Sequence, residues 1–344
     1  MNRIGIVILN WNGKDLLEKF LPSVISHSKR EWAEIIVADN ASDDDSIAFL
    51  EQKYPDIRTI KLDKNYGFAE GYNRALSQLN HEYFVLLNSD VKVSQNWLDP
   101  IYHQFENNAD IAAAQPKIKD YYRKSDFEYA GAAGGFIDYL AYPFCRGRIL
   151  DVIEKDKGQY DKTIDVFWAS GAALFIRADI YKKTGGLDGD FFAHMEEIDL
   201  CWRIKNQGHR IICDPNSTVY HVGGATLPHH STRKLFLNFR NNLFMLYKNL
   251  PSNRLLFIFF YRMILDGVAA FKFLLTGEFA NFTVVFKAHM SFYSMLAKFR
   301  KKRKVLLPLV TKNHHNEIYR NSIIFDYFLR RKRKYSQIED QLKA

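Results

Sequence analysis

Residues 191–203 read FFAHMEEIDLCWR and bring three carboxylates, Glu196, Glu197 and Asp199, within four positions among apolar and aromatic neighbours. Acidic side chains are rarely buried without a partner, so the run needs a chemical or a structural reason. The chemical reason is general acid–base work, in which a carboxylate moves a proton at a reacting group. The structural reasons are equally concrete. Acids in a first helical turn complement the macrodipole. Asp199 and Arg203 are four apart and can pair, and Met195, Ile198 and Trp202 share one helix face as core.

A second set of residues gathers by position. Four apolar runs are followed by polar residues: Asn10-Trp11-Asn12-Gly13, Asp39-Asn40-Ala41-Ser42, Asn65-Tyr66-Gly67 and Asn88-Ser89-Asp90. Any one of these is an ordinary turn or cap, since Asn, Asp, Ser and Gly favour both. Four in succession on one sheet edge make a pocket, because open α/β sheets bind ligands beyond the carboxyl ends of their strands. Asp90, ending a buried strand, suits a hard divalent cation, Mg2+ or Mn2+, which would neutralise a diphosphate.

The elements that must position these residues are legible in the first half. Ile4–Leu9 is a continuous apolar run, as expected of a parallel strand covered on both faces. Helical spacing over Leu16–Ser26 follows, then a strand at Glu34–Asp39, a helix over Ser42–Tyr54, and a strand at Ile57–Leu62. A helix over Phe68–Leu79 and a strand at Tyr83–Leu87 complete the series. This alternation predicts a doubly wound α/β sheet. Residues 116–165, with GAAGG and RGR, read as a long functional loop or lid. In it Arg146 and Arg148 are either a phosphate clamp or solvated loop charges. Strands are expected at Ile164–Trp168, Ala172–Ile176 and Arg210–Asp214, with a helix over Met195–Asn206.

Charge separates the chain into two parts. The net charge is +9, yet residues 251–344 carry 18 Lys and Arg against 6 Asp and Glu, which is +12 and leaves −3 for the first 250. Basicity therefore bears on the C-terminal part alone. Residues 255–297 are rich in Phe, Leu, Met and Tyr, but Arg262, Asp266 and Lys272 interrupt the best apolar window. They read as amphipathic helices at a membrane surface, with a tilted single span left open. The basic runs KFRKKRK (298–304) and RRKRK (330–334) follow. No RNP-like or zinc motif accompanies them, so no nucleic-acid partner is expected. Cys145, Cys201 and Cys213 form no CxxC and fit a reducing compartment. The run IGIVIL ends in NWNG without a small-residue cleavage site and is not read as a signal peptide.

Strand one lacks GxGxxG and the chain lacks GxxxxGK[ST], which disfavours a dinucleotide-dependent dehydrogenase and a P-loop phosphotransferase. Instead VILNWNG, VADNASDDDS, NYGFAEGYNRAL, LLNSDV, SGAALFIR, GGLDGDFFAHMEEIDLCWR and VYHVGG, in this order over residues 3–230, resemble the family 2 inverting glycosyltransferases, rhamnosyltransferase-like branch. The resemblance implies a GT-A fold: an α/β, doubly wound, mainly parallel sheet with helices on both faces. Here it would occupy residues 1–230, with an amphipathic helical membrane-associated region at 231–304 and a basic tail at 305–344.

It further implies a nucleotide-sugar donor held by Asn10, Asp39, Asn65, Asn73, Asn88 and Asp90. LLNSDV stands where the family has DxD, so Asn88 replaces its first Asp and Asp90 remains to bind the divalent cation, with His221 completing the metal shell. MEEID matches the acidic motif that carries the base, which assigns Glu197 as base and Glu196 as its orienter or an acceptor binder. Asp199 is then structural. Inverting transfer needs one base to take the acceptor's proton as its hydroxyl attacks opposite the leaving diphosphate. The branch favours dTDP-rhamnose, with a UDP-sugar possible, and a glycan or lipid-linked acceptor met at the anionic cytoplasmic face of the inner membrane. A catalytically weak sugar-nucleotide-binding protein is the alternative, motivated by Asn88 and by Glu at the base position.

Overall fold

The computed structural model describes residues 3–223 and 231–343, so the expected boundary after residue 230 falls outside the described residues. The chain opens with β1 (Ile4–Asn10), α1 (Lys14–His27), β2 (Ala33–Asp39), α2 (Ser46–Lys53), β3 (Arg58–Lys61), α3 (Gly67–Leu76) and β4 (Tyr83–Asn88). There follow β5 (Val91–Val93), α4 (Asp99–Asn107) and β6 (Ile111–Asp120). Four short strands come next: β7 (Gly135–Asp138), β8 (Pro143–Cys145), β9 (Arg148–Ile149) and β10 (Val152–Ile153). Then come β11 (Ile164–Asp165), β12 (Ala173–Arg177), α5 (Ala178–Lys183), α6 (Glu196–Asn206) and β13 (Arg210–His221). Three long helices, α7 (Thr232–Asn249), α8 (Ser252–Leu275) and α9 (Phe279–Leu306), precede β14 (Ile318–Tyr319) and α10 (Ile323–Phe328).

The main sheet runs β11-β13-β6-β12-β4-β1-β2-β3, with β5 paired to β13. From β4 through β1 and β2 to β3 every pairing is parallel, as expected. Beyond β4 the sheet is mixed: β12 is antiparallel to both β4 and β6, while β6 and β13 are parallel. The expectation of a mainly parallel sheet therefore holds for the first half only. A strand as short as β12 shows a buried apolar run but no sign of its direction.

The pleat sends alternate residues to opposite faces. Ile4, Ile6, Ile8, Val85 and Leu87 pack with Leu17 and Leu21 of α1 and with Ile101 and Phe105 of α4. Val7, Ile36, Ala38, Phe84 and Leu86 pack on the other side with Ala69, Tyr72 and Ala75 of α3 and with Ile198 and Trp202 of α6. Helices cover both faces, and every parallel strand in the first half ends at the same edge.

Residues 116–165 are not a loop or lid. They continue β6 and then build a second sheet, β10-β9-β8-β7-β14, whose last strand comes from near the C-terminus. Ile318 and Tyr319 pair in parallel with Ile137 and Asp138. Asp138 accepts from the Ile323 amide (2.8 Å), and Tyr335 packs its ring on Phe136 and Tyr160. Arg146 and Arg148 are buried in this layer. Arg146 donates to the carbonyls of Ala133, Tyr160 and Lys162, and Arg148 to that of Tyr129. Neither the clamp nor the solvated charge applies; both are backbone organisers.

No helix among the described residues is long and apolar enough to cross a membrane, which closes the option of a tilted span for them.

Candidate active site

Parallel register sets Asn10 opposite Asp39 at the ends of β1 and β2. Asn10 Nδ2 donates to Asp39 Oδ1 (3.0 Å), and Asp39 also accepts from the Ser42 amide (2.9 Å) and hydroxyl (2.6 Å). Asn10 Oδ1 is buried with no partner, and a Cβ on Gly13 would lie 2.4 Å from it. Ser42, where the helix was expected to begin, instead knits this corner, and α2 starts at Ser46.

Asn65 folds its own turn, accepting from Asn40 Nδ2 (3.1 Å) and the Gly67 amide (2.8 Å). Asn73 is engaged at both ends of its amide. It donates to the Leu187 carbonyl (2.7 Å) and accepts from the Tyr181 hydroxyl (2.6 Å) and the Leu187 amide (3.0 Å), tying α3 to the GGLDGD loop.

The end of β4 meets the end of β13. Asp90 Oδ1 lies 3.1 Å from His221 Nε2, and Asn88 Nδ2 lies 3.4 Å from the same nitrogen. On the other side of the imidazole, Nδ1 faces Glu128 at 3.3 Å, an ion-pair contact rather than an aligned hydrogen bond. Glu128 is itself buried and accepts from the Ala130 amide. Burial opposes charge on His221, but the two carboxylates outweigh it and push the group up to about 10. For Asp90, burial is likewise outweighed, by the imidazolium and by backbone amides, and its carboxyl sits below the ordinary range.

These residues suit a divalent cation in part. No group of three or more His, Cys, Asp or Glu among the described residues is arranged to hold one. Asp90 and His221 Nε2 supply two adjacent donors, while Glu128 faces the opposite ring nitrogen, where a carboxylate orients a ligating histidine. Two protein donors completed by phosphate oxygens and water is the way Mg2+-type ions are usually held. Binding would displace the His221 proton.

The third component is the start of α6. The chain reaches it through Phe192, His194 and Met195, with φ of 66°, 69° and 73°, positive values that cost roughly 1–3 kcal/mol per non-glycine residue. Neighbours hold this segment. Phe68 and Ala69 donate their amides to the Phe192 carbonyl, and Gly67 lies so close that a Cβ would sit 2.6 Å from the Phe192 ring. From α7, buried Asn241 donates to the carbonyls of Phe191, Ala193 and His194 (2.9, 2.8 and 2.8 Å).

Glu196 and Glu197 each leave Oε2 buried with no partner. Burial pushes Glu197 up to about 7, against the amides of Glu197, Ile198 and Met195 that favour its ionised form. Glu196 rises well above the carboxylate range through burial, then through the charge of Glu197. Two adjacent carboxyls in one site do not both ionise readily. Burial and this mutual repulsion raise the two carboxyls as a pair.

Asp199, three residues from Glu196, is the opposite case. It is fully buried and accepts from Arg203 Nε (3.0 Å), Lys248 Nζ (2.7 Å) and Asn249 Nδ2 (2.8 Å). The turn at Ser170–Ala172 joins the parts. Ala172 takes the Asn88 amide, Ser170 bonds the Ala130 carbonyl beside Glu128, and a Cβ on Gly171 would lie 3.7 Å from Glu197 Cβ. The Asn10–Asp39 corner, the Asp90–His221 strand ends and the start of α6 are thus linked, through Gly13 beside Asn10 and Ser89 and through the turn at Ser170–Ala172. The residues sequence reasoning missed are Glu128 and Asn241. Each stands alone in its segment and shows its purpose only through a partner about fifty or more positions away.

The profile of the family described as Glycosyl transferase family 2 matches residues 5–182. The O-antigen biosynthesis protein RfbC of Myxococcus xanthus is 24% identical over 228 residues, covering 65% of this chain and 18% of RfbC. The N-acetylglucosaminyl-diphospho-decaprenol L-rhamnosyltransferase of Mycobacterium tuberculosis is 23% identical over 263 residues, covering 70% of this chain and 85% of that enzyme. Among solved structures, the mannosyltransferase PcManGT from Pyrobaculum calidifontis, in complex with GDP-Man and Mn2+, aligns with a TM-score of 0.52 at 14% identity. That alignment covers 90% of this chain and 86% of the other, and is a likeness of fold.

Proposed function

The chain belongs to glycosyl transferase family 2 and has a GT-A-like α/β fold, and on that premise we propose that it moves a sugar from a nucleotide-diphosphate donor to an acceptor hydroxyl with inversion, Glu197 acting as base. The single observation that carries the assignment is the Glu197 carboxyl, whose Oε2 is buried without a partner and whose pKa burial raises to about 7.

In this reading Asp39 and Asn10 hold the nucleoside, and Asp90 with His221 holds a divalent cation, whose contribution when bound is to offset the charge of the donor diphosphate. The acceptor hydroxyl lies against Glu197. As its oxygen bonds to the anomeric carbon, its proton passes to the Glu197 carboxylate and the bond to the diphosphate breaks on the opposite face. Protonated Glu196 adds no second negative charge, and Phe192, in the segment leading to α6, helps keep water from replacing the acceptor. dTDP-rhamnose is the favoured donor and a UDP-sugar the second choice. A lipid-linked glycan is the acceptor, met at the anionic cytoplasmic face of a membrane. The relatives named for O-antigen synthesis and for decaprenol-linked rhamnosyl transfer support that direction.

The test is a panel of nucleotide sugars with a divalent cation, scored for donor binding and for release of nucleoside diphosphate. Release with one donor and an inverted product supports the proposal. Donor binding without any release points to the sugar-nucleotide-binding alternative.

A further inference from the structure

Helix α8 is turned inside out. Of its 24 residues only Ile258, Arg262 and Asp266 are buried, two of them charged. Arg262 donates to the Leu140 carbonyl (3.2 Å) and lies over the Tyr142 ring, while Asp266 takes His289 Nε2 of α9 at 3.1 Å. The outward side carries Leu256, Phe260, Phe271 and Leu275, continued by Phe279 and Phe286 of α9. Leu256 is 83% exposed and Leu275 72%. A surface helix facing water shows the reverse pattern, with apolar residues inward and charges outward. An apolar face of this extent marks a contact surface. Beside it, a cavity of about 630 Å³ between α8 and α10 is lined by Tyr261, Ile264, Val268, Phe325 and Phe328.

The basic run expected to hold the membrane is largely committed elsewhere. Lys298 pairs with Asp190 (2.6 Å), and Lys302 with Asp188 and Asp190. Arg303 is buried and donates to the Tyr247 carbonyl (2.6 Å). The two lysines tie α9 to the GGLDGD loop, and Arg303 ties it to α7. Exposed cations include Arg300, Lys301 and Lys304, with Arg331, Arg333 and Lys334 after α10.

We propose that the outward face of the α8–α9 hairpin, with α10 beside it, lies in the plane of an anionic lipid bilayer, its aromatic and aliphatic side chains immersed and the exposed cations at the headgroups. This deepens the reading of a lipid-linked acceptor and rests on it only for its purpose. Lipid is chosen over a second copy because the apolar face is bordered by cations, which attract anionic headgroups and repel one another across a self-contact. A lying rather than a spanning helix follows from the absence, among the described residues, of any helix apolar enough to cross.

The test uses the full chain with vesicles of phosphatidylcholine, alone or mixed with phosphatidylglycerol, in a flotation assay at low salt and at about 1 M NaCl. The wild type should float with the mixed vesicles and stay substantially bound at high salt. Phe271→Glu combined with Phe286→Glu should lower binding at least about tenfold at either salt. Lys301→Ser with Lys304→Ser should lower it a few-fold at low salt only. Donor hydrolysis measured on the same samples shows that each variant is folded and tests the transferase reading separately. Binding abolished by salt and unaffected by the glutamates would overturn the proposal. So would a wild type that ignores vesicles but dimerises through a contact the glutamates break.

Discussion

The carboxylates at the strand ends and those at the start of α6 are held in opposite ways. Asp39 has its oxygens on Asn10 and Ser42, and Asp90 faces His221, so both sit among protein partners. Glu196 is as deep and Glu197 partly buried, and each leaves its Oε2 buried and unsatisfied. His221 and backbone amides hold the Asp90 carboxyl below the ordinary range, which suits a fixed electrostatic task, while burial raises Glu197 to about 7, which suits proton transfer. Asp199 shows that α6 can satisfy an acid when chemistry does not forbid it, since Arg203, Lys248 and Asn249 all reach it.

The largest expected effect falls on the unpartnered side. Glu197→Gln should lower turnover by about 10²–10⁴ with donor affinity intact, because the amide keeps the shape but accepts no proton. Glu196→Gln should lose far less, and single-turnover assays on both variants distinguish them. On the partnered side the loss should appear in binding. Asp90→Asn should weaken donor affinity at least about tenfold in the presence of a divalent cation, and Glu128→Gln by a smaller factor, as isothermal titration would report.

Asn241→Ala removes the clamp on the strained carbonyls before α6. It should cost about 1–3 kcal/mol of stability and lower kcat several-fold at unchanged donor KM, since it touches the base's support and not the strand ends.

The smallest effect is on stability against pH. A carboxyl whose folded pKa is raised binds its proton more tightly in the native state, so its stabilising contribution is present at low pH. It is lost as pH rises from the ordinary carboxylate range, through about 7 for Glu197, and the raised Glu196 carboxyl contributes with the same sign. Glu196→Gln should therefore raise the Tm by a few degrees, roughly, at about pH 8 and leave it unchanged at about pH 4.

The same contrast explains what the sequence made legible. The parallel strands β1, β2 and β4 were readable because burial on both faces leaves continuous apolar runs, and their polar ends fixed one edge of the cleft. The acidic turn of α6 was readable as a cluster. The small sheet was not, since β7 to β10 are two to four residues long and their neighbour β14 lies far along the chain. The apolar period of α8 was visible, but periodicity does not say which side faces in, and buried Arg262 and Asp266 decide that. Lys302 and Arg303 looked like free cations because their partners, Asp188 and the Tyr247 carbonyl, are distant in sequence.

The pH dependence of kcat/KM, taken with the accepted donor and a soluble acceptor, tests the central contrast most directly. A base raised to about 7 gives a rate that is level at higher pH and falls roughly tenfold per unit below 7, while donor affinity holds over the same range. A rate that stays level from about pH 8 down to about pH 5 would mean an ordinary carboxylate at the base position, and would contradict the account.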